Sequence, residues 1–128
     1  MSVGSVRLLL VDDEKHIRQL VHAVLSDFKG EIVGEATNGQ EAVDMYKQLN
    51  PDIVFMDINM PVKDGREALK EIIAFDADAR VVMLTSLTDM ETVQDCMELG
   101  ASDYVRKDST IAELRRLFND VLQELSSH

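Results

Sequence analysis

The sequence has a single cysteine, Cys96, so no disulfide can form within the chain. Basic residues are also scarce, because 13 Lys and Arg stand against 24 Asp and Glu and give a formal net charge of −11. A chain this negative would repel phosphates, which argues against unaided binding to nucleic acids or anionic membranes. Long apolar runs are missing as well. The longest are strand-sized, such as residues 8–11, and too short to cross a bilayer.

The first five residues lack the charged segment and following apolar segment of a secretory signal. Together with the lone cysteine, this predicts a cytoplasmic protein. A length of 128 residues suffices for one globular domain of this composition. We therefore expect residues 1–128 to form a single domain that needs neither disulfides nor a structural metal to fold.

Two patterns of apolar residues alternate along the chain. Continuous β-rich runs predict five buried strands, at residues 6–11, 31–36, 53–56, 81–84 and 104–106. Apolar residues at helical spacing follow each run and predict five helices. Strict alternation of strand and helix predicts an α/β fold. We expect a doubly wound five-stranded parallel sheet in the flavodoxin-like order 2-1-3-4-5.

Local signals bound several of these helices. The first is expected to extend through Phe28 and to close at Gly30, while Asn38 is expected to cap the second. Either Ser109 or Thr110 is expected to cap the fifth helix.

Chemically competent side chains follow four of the five predicted strands. They are Asp12 and Asp13, Asp57, Thr85, and Lys107. In an open parallel sheet, ligands bind outside the carboxyl ends of the strands at the switch in strand order, which here lies between strands 1 and 3. Three carboxylates at this point would raise one another's pKa values unless a cation is present. An oxygen-rich cluster of this kind suits Mg²⁺.

Lys107 adds a fixed positive charge to this edge, and Thr85 adds a hydroxyl that can donate to an anion. Carboxylates, metal, ammonium and hydroxyl are the parts needed for in-line phosphoryl transfer. Because neither His nor Cys follows these strands, the nucleophile would be a carboxylate, which would form an aspartyl phosphate.

Four motifs in this order resemble the receiver domain of two-component response regulators, the CheY-like family. They are Leu-Val-Asp-Asp at 10–13, Asp-Ile-Asn-Met-Pro at 57–61 with Asp-Gly at 64–65, Leu-Thr-Ser at 84–86, and Gly-Ala-Ser-Asp-Tyr-Val-Arg-Lys at 100–107. The resemblance covers the chain from about Arg7 to Leu125. It implies a receiver, stand-alone or excised from a longer protein, that takes part in phosphorelay signal transduction.

The resemblance also implies a role for each motif residue. Asp57 would accept a phosphoryl group from a sensor histidine kinase or phosphotransfer protein in a Mg²⁺-dependent reaction. Asp13 would bind Mg²⁺ directly and Asp12 mainly through water, with Asp57 and the backbone carbonyl of Asn59 completing the protein ligands. Lys107 would pair with Asp57 and then with the phosphoryl group.

Two further residues resemble the switch of the family. Thr85 would hydrogen-bond the phosphoryl oxygens and draw its loop inward, and Tyr104 would turn into the vacated space. The surface of the fourth helix, fifth strand and fifth helix would then control an unknown output protein. Such a chain would be a phosphoacceptor switch rather than an enzyme, although it would assist its own phosphorylation and dephosphorylation. It would be a monomer or a phosphorylation-dependent dimer. Asn59 and Leu87, which flank the site, are the positions at which the family tunes phosphoryl lifetime.

The chain departs from the family pattern after the lysine. The family usually has a proline there, joined by a cis bond, whereas this chain has Asp108. A cis bond before any other residue costs about 3–4 kcal/mol, so we expect a trans bond. The pair Lys107-Asp108 resembles receivers that carry DNA-binding output domains. The chain could therefore instead be a truncated receiver of a transcriptional regulator, with phosphorylation driving dimerisation.

Other interpretations fit the same residues less well. A Mg²⁺-dependent phosphohydrolase would need a second acid two residues beyond its nucleophile, where this chain has Asn59. A flavin carrier would need a phosphate loop of Ser, Thr and Gly in place of Asp12 and Asp13. These two acids could also simply cap the first helix, and Tyr104 could be a strand aromatic without a switching role. The acids of the fourth helix, Asp89 among them, are expected to form a solvated face.

Overall fold

The computed structural model describes residues 6–25, 28, 30–86 and 89–126, apart from the side chains at 122, 125 and 126. Within these residues, parallel strands form one sheet in the order β2-β1-β3-β4-β5, which confirms the predicted fold class. The strands are β1 (Val6–Val11), β2 (Gly30–Ala36), β3 (Ile53–Asp57), β4 (Val81–Thr85) and β5 (Asp103–Arg106). The helices are α1 (Lys15–Leu25), α2 (Gly39–Leu49), α3 (Gly65–Phe75), α4 (Met90–Leu99) and α5 (Ile111–Ser126).

Helices cover both faces of the sheet, which explains why its central strands are continuous apolar runs. Leu8 and Leu10 of β1 belong to a core cluster with α1 and α5. In that cluster, the rings of Phe55 and Phe118 lie 4.7 Å apart between centroids. The intervening residue Leu9 points to the opposite cluster, which is built with α2, α3 and α4. The period-two alternation of a strand thus divides one apolar run between two cores.

Capping side chains define where α2 and α5 begin. Asn38 caps α2, as predicted, because its side-chain oxygen accepts from the Glu41 N–H at 2.9 Å. Thr110 caps α5: its hydroxyl accepts from the Glu113 N–H at 3.2 Å, and the Glu113 carboxylate accepts from the Thr110 N–H at 3.0 Å. This reciprocal pair is a capping box, and it leaves Ser109 outside the helix.

The first helix ends earlier than its apolar spacing predicted. Phe28 lies in a turn after α1, where its N–H donates to the Leu25 carbonyl at 2.9 Å. Gly30 opens β2 and pairs with Val6 instead of closing α1. The prediction was wrong here because Phe28 still packs against the α1–α5 core from outside the helix. The spacing of apolar residues indicates on which side of the sheet a residue is buried. It does not indicate where the hydrogen bonds of the helix end.

Several predictions fall on parts of the chain that lie outside the described residues. They concern the first five residues and Leu87. Among the helices that are described, none combines the length and the apolar character needed to cross a bilayer.

Candidate functional site

The carboxyl ends of four strands meet at one edge of the sheet and bring predicted side chains together. Asp57 is the last residue of β3 and Thr85 the last residue of β4, while Asp12 and Lys107 directly follow β1 and β5. The strands are parallel and lie in the order β1-β3-β4-β5, so their carboxyl ends lie side by side at the same edge of the sheet. Asp12, Asp57 and Thr85 are the buried polar residues of the described core.

The ammonium of Lys107 lies among three carboxylates. Its Nζ is 3.0 Å from Oδ2 of Asp57 and 2.9 Å from Oδ2 of Asp12. It also donates a hydrogen bond of 2.8 Å to Oε1 of Glu14. The backbone N–H of Lys107 donates to the Thr85 carbonyl at 2.7 Å, which fixes the start of this side chain against β4. One cation therefore offsets part of the charge of three anions.

The acids at this edge are close enough to share a cation. Asp12, Asp13, Glu14 and Asp57 each present a carboxylate oxygen, and these oxygens all lie within 4.8 Å of one another. Oδ1 of Asp12 accepts from the Glu14 N–H at 2.8 Å. Oδ2 of Asp12 is buried and meets Lys107 as an ion pair without a well-formed hydrogen bond. This buried oxygen can still accept a ligand contact, and it lies in a cluster of hard oxygen donors. Such a cluster fits a divalent ion such as Mg²⁺.

Burial and mutual repulsion change the titration of these carboxylates. Burial raises the pKa of Asp57 to about 7, with the charge of Asp12 adding to the increase and Lys107 opposing it. Burial also raises the pKa of Asp12, against the contact with Lys107. In contrast, the hydrogen bond from Lys107 lowers the pKa of Glu14. The cluster is thus an electrostatic site that favours an additional positive charge.

The Asp-Gly motif after β3 holds the backbone of Asp57 in place. The Gly65 N–H donates to the Ile58 carbonyl at 2.7 Å, so the loop folds back onto the end of the strand. A Cβ on Gly65 would lie 2.0 Å from the carbonyl oxygen of Asp57. Asp64 caps α3 by accepting from the Glu67 N–H at 2.9 Å. A side chain at position 65 would therefore displace the residue predicted to be the phosphoacceptor.

The side chain of Asn59 contacts the start of α4. Its amide donates to Oδ2 of Asp89 at 2.8 Å, and the hydroxyl of Ser86 donates to the same oxygen, also at 2.8 Å. The carboxylate of Asp89 thus bridges two loops, and the residue is half-buried. The acids within α4, which are Glu91, Asp95 and Glu98, are exposed, as expected for a solvated face. Asn59, Ser86 and Asp89 line an open pocket of about 130 Å³, together with Glu14, Asp57 and Lys107.

The predicted site included neither Glu14 nor Asp89. Glu14 continues the acidic run after β1, so counting charges beyond Asp13 would have found it. No sequence pattern indicates that Asp89 belongs to the site, because its contact with Asn59 joins two loops that follow different strands.

The two predicted switch residues lie on neighbouring strands. Thr85 is fully buried, and its hydroxyl donates to the Ser86 carbonyl at 3.0 Å. Tyr104 of β5 pairs in register with Met83 and is 37% exposed. One side chain is thus enclosed near Asp57 and the other faces outward.

The peptide bond between Lys107 and Asp108 is trans, as expected. Asp108 forms a two-point ion pair with Arg106, at 3.0 Å between Nε and Oδ1 and 2.6 Å between Nη2 and Oδ2. The acid that replaces the usual proline is therefore engaged at the surface rather than in the acidic cluster.

Comparison with known proteins agrees with this geometry. The family model described as the response regulator receiver domain matches residues 8–119. The chemotaxis protein CheY of Halobacterium salinarum is 42% identical over 116 residues, which cover 91% of this chain and 96% of that protein. A CheX–CheY–BeF₃–Mg²⁺ complex from Borrelia burgdorferi superimposes with a TM-score of 0.82 at 33% identity, covering 91% and 88% of the two chains. A LuxR-family response regulator from Aurantimonas gives a TM-score of 0.84 at 32% identity, covering 94% and 86%.

The chain belongs to the response regulator receiver domain family. It is a receiver domain of two-component signalling with the CheY-like order of strands.

Proposed function

We propose that the protein is a phosphorylation switch that accepts a phosphoryl group on Asp57. The supporting observation is the placement of this carboxylate, which is 5% exposed at the end of β3 and lies 3.0 Å from the ammonium of Lys107. The donor would be a sensor histidine kinase or a phosphotransfer protein. Residues 1–128 are proposed to act as a single domain.

In the transfer step, a carboxylate oxygen of Asp57 forms a bond to phosphorus. The P–N bond of the donor phosphohistidine breaks, and its electron pair stays on the imidazole nitrogen. The product on this chain is an acyl phosphate, which a water molecule later hydrolyses by attack at phosphorus. The chain assists both steps by positioning groups and neutralising charge, as is usual in phosphoryl transfer. It is not proposed to turn over an independent substrate.

Lys107 holds Asp57 in position before transfer and offsets charge on the phosphoryl oxygens after it. The Thr85 hydroxyl, which donates to a neighbouring carbonyl in this structure, is the proposed donor to one of those oxygens. Its movement would draw the β4–α4 loop inward, and Tyr104 would turn from its partly exposed position toward the space that Thr85 leaves. This movement would change the surface of α4, β5 and α5.

Mg²⁺ is the proposed cofactor. Asp13 would hold it directly, Asp12 mainly through water, and Asp57 and the Asn59 carbonyl would complete the protein ligands. When bound, the ion would neutralise the carboxylates and the phosphoryl oxygens. The four carboxylate oxygens within 4.8 Å and the buried Oδ2 of Asp12 support this assignment. The related CheY from Borrelia burgdorferi was crystallised with Mg²⁺ and BeF₃.

The output is proposed to pass through a protein partner that binds the surface of α4, β5 and α5. That surface carries exposed apolar side chains, including Met97 of α4, Tyr104 of β5 and Ile111 of α5. The net charge of −11 disfavours direct binding to nucleic acid or an anionic membrane.

A second candidate function is the receiver part of a DNA-binding regulator. It is favoured by Asp108 after Lys107 and by the likeness to a LuxR-family response regulator. Phosphorylation would then drive dimerisation through α4, β5 and α5. Size-exclusion chromatography with light scattering, with and without beryllofluoride, separates the two: a dimer that forms only with beryllofluoride favours this second function.

The main proposal is tested by the intact mass after incubation with acetyl phosphate, with and without Mg²⁺. We expect one Mg²⁺-dependent phosphoryl adduct on the wild type and on Asp120→Asn, an exposed acid of α5, and none on Asp57→Asn. If rapid hydrolysis hides the adduct, a beryllofluoride titration replaces the mass measurement. A wild type that neither gains the adduct nor binds beryllofluoride would refute the proposal.

A further inference from the structure

Asp89 occupies the N-cap position of α4 but does not cap that helix with its side chain. No side-chain hydrogen bond runs from Asp89 to the first turn, although Asp is among the preferred capping residues. Its Oδ2 instead accepts from the amide of Asn59 and from the hydroxyl of Ser86, both at 2.8 Å. The carboxylate that would complete α4 is therefore used to bridge the β3–α3 loop and the end of β4.

The two donors held by Asp89 lie at the pocket that contains Asp57. Asn59 and Ser86 line this pocket, as do Asp57, Lys107 and Asp89 itself. A phosphoryl group carries between one and two negative charges near neutral pH. A phosphoryl group on Asp57 would therefore lie in the same pocket as the carboxylate of Asp89. It would also lie near the two neutral donors, Asn59 and Ser86, that hydrogen-bond to this carboxylate.

These contacts give Asp89 two opposing arrangements. With the pocket free of an anion, two hydrogen bonds stabilise the bridge to Asn59 and Ser86. With an anion on Asp57, repulsion disfavours the bridge, and the released carboxylate can instead accept from the first-turn N–H groups of Glu91 or Thr92. A change of charge at β3 would thereby change the order at the start of α4.

We propose that Asp89 is a positioning residue that acts as an electrostatic latch: it opposes anion binding at Asp57 and, once displaced, caps α4. This inference rests on the proposed function, because the displacing anion is the phosphoryl group on Asp57. It deepens that function by naming a route from the phosphorylation site to α4.

The test uses beryllofluoride as the phosphoryl mimic, at saturating Mg²⁺, with the full chain. Asp89→Asn removes the charge and keeps the side-chain size, while Asp89→Ala removes both hydrogen bonds. We expect each variant to bind beryllofluoride about 3–10-fold more tightly than the wild type, as befits the loss of one repulsive charge at a partly solvated site. Because the same charge attracts a cation, the affinity for Mg²⁺ alone should fall and not rise. Opposite changes for anion and cation separate an electrostatic latch from a general loss of site structure, which would weaken both.

Glu91→Gln is the matched control, because it removes one negative charge from an exposed position in the first turn of the same helix. It should bind beryllofluoride within about twofold of the wild type. Hydrogen exchange read by NMR gives the second arm. The N–H groups of Glu91 and Thr92 should gain protection when beryllofluoride is added to the wild type and should gain none in Asp89→Ala.

The outcomes separate the two proposals. Asp89 variants that bind beryllofluoride no more tightly than the wild type would overturn the latch while leaving Asp57 as the phosphoacceptor. An equal effect of Glu91→Gln would also overturn it, since any acid of the helix would then suffice. A wild type that binds Mg²⁺ but no beryllofluoride would overturn the proposed function and this inference together.

Discussion

The ammonium of Lys107, directly after β5, lies 3.0 Å from Oδ2 of Asp57 at the end of β3. The same group lies 2.9 Å from Asp12 and 2.8 Å from Glu14. Two of these three acids are buried, so their charges are poorly compensated by water. Removing Lys107 should therefore affect folding and cation binding in opposite directions.

We expect Lys107→Ala to lower the free energy of unfolding of the metal-free protein by about 2 kcal/mol, because buried carboxylates lose their partner. Its affinity for Mg²⁺ should stay equal to the wild type or increase, since a competing cation is gone. Phosphorylation should no longer change the output surface. Urea unfolding and a Mg²⁺ titration measure the first two effects. Lys70→Ala, at an exposed position of α3, is the control, and weaker Mg²⁺ binding by Lys107→Ala would contradict the role assigned to Lys107.

The raised pKa of Asp57, about 7 against an ordinary value of 3.8, predicts how stability depends on pH. The folded state holds this proton more tightly than the unfolded state, so the contribution is fully present below pH 3.8 and is lost as the pH rises through about 7. Relative to Asp57→Asn, the metal-free wild type should therefore lose stability from about pH 4 to about pH 7. Asp57→Asn should lose less and be more stable by about 1–3 kcal/mol at pH 8.5.

Thermal unfolding across this pH range, with EDTA present, measures the difference between the two proteins. Asp120→Asn, which removes an exposed acid of α5, should follow the wild type. Saturating Mg²⁺ should remove most of the advantage of Asp57→Asn, because the ion compensates the charge of the wild-type carboxylate. A wild-type stability that rises relative to Asp57→Asn from about pH 4 to about pH 7 without metal would contradict the assigned pKa direction.

The sequence was sufficient to predict the sheet edge that carries the site. Asp12, Asp57, Thr85 and Lys107 each end or follow an apolar run, and the topology of a parallel sheet places the ends of such runs side by side. Few windings satisfy the rule of right-handed crossovers, so strand order followed from the alternation of elements.

The contacts between loops could not be predicted in the same way. The hydrogen bond from Asn59 to Asp89 depends on how two loops bend after β3 and β4, and neither loop has a periodic pattern. The end of α1 was missed for a related reason, because Phe28 is buried by packing and not by helix formation. Apolar patterns report burial, whereas the geometry of loops depends on hydrogen bonds that residue type alone leaves open.

Asp13 is exposed, and its carboxylate lies among the clustered acids without the burial of Asp12. We expect Asp13→Ala to weaken Mg²⁺ binding about tenfold or more, because it removes a proposed direct ligand. The free energy of unfolding without metal should change by less than about 0.5 kcal/mol, as for most surface substitutions. A Mg²⁺ titration followed by NMR would measure the affinity, with Asp120→Ala as the control. An unchanged titration would refute the placement of this ligand.

Gly65 is required by close approach of the backbone. We expect Gly65→Ala to lower the free energy of unfolding by about 2–4 kcal/mol, because its Cβ would lie 2.0 Å from the Asp57 carbonyl oxygen. Gly30→Ala is the matched comparison, since its Cβ would meet the Leu8 side chain at 3.1 Å and a side chain can move. Urea unfolding of both variants gives the comparison. An equal decrease in the free energy of unfolding for both variants would show that the contact with the Asp57 backbone does not determine the effect of Gly65→Ala.

The loop after β3 contains a residue in an unfavourable backbone conformation. Val62 has a φ of 68°, and the Lys63 N–H donates across it to the Pro61 carbonyl at 2.7 Å. A three-residue turn of this hand is strained for a residue with a Cβ, and β-branching increases the strain. The Val62 side chain is 84% exposed, so burial contributes little in return.

We therefore expect Val62→Gly to raise the free energy of unfolding by about 0.5–1.5 kcal/mol, after allowing for the greater freedom of glycine in the unfolded chain. For a domain of this size, that corresponds to an increase in Tm of about 2–6 °C. Val62→Ala keeps the Cβ and removes the branch, so its gain should be smaller. Thermal unfolding of the three proteins in EDTA measures this order. A Val62→Gly variant that is less stable than the wild type would mean that contacts of the valine side chain outweigh the strain of its backbone.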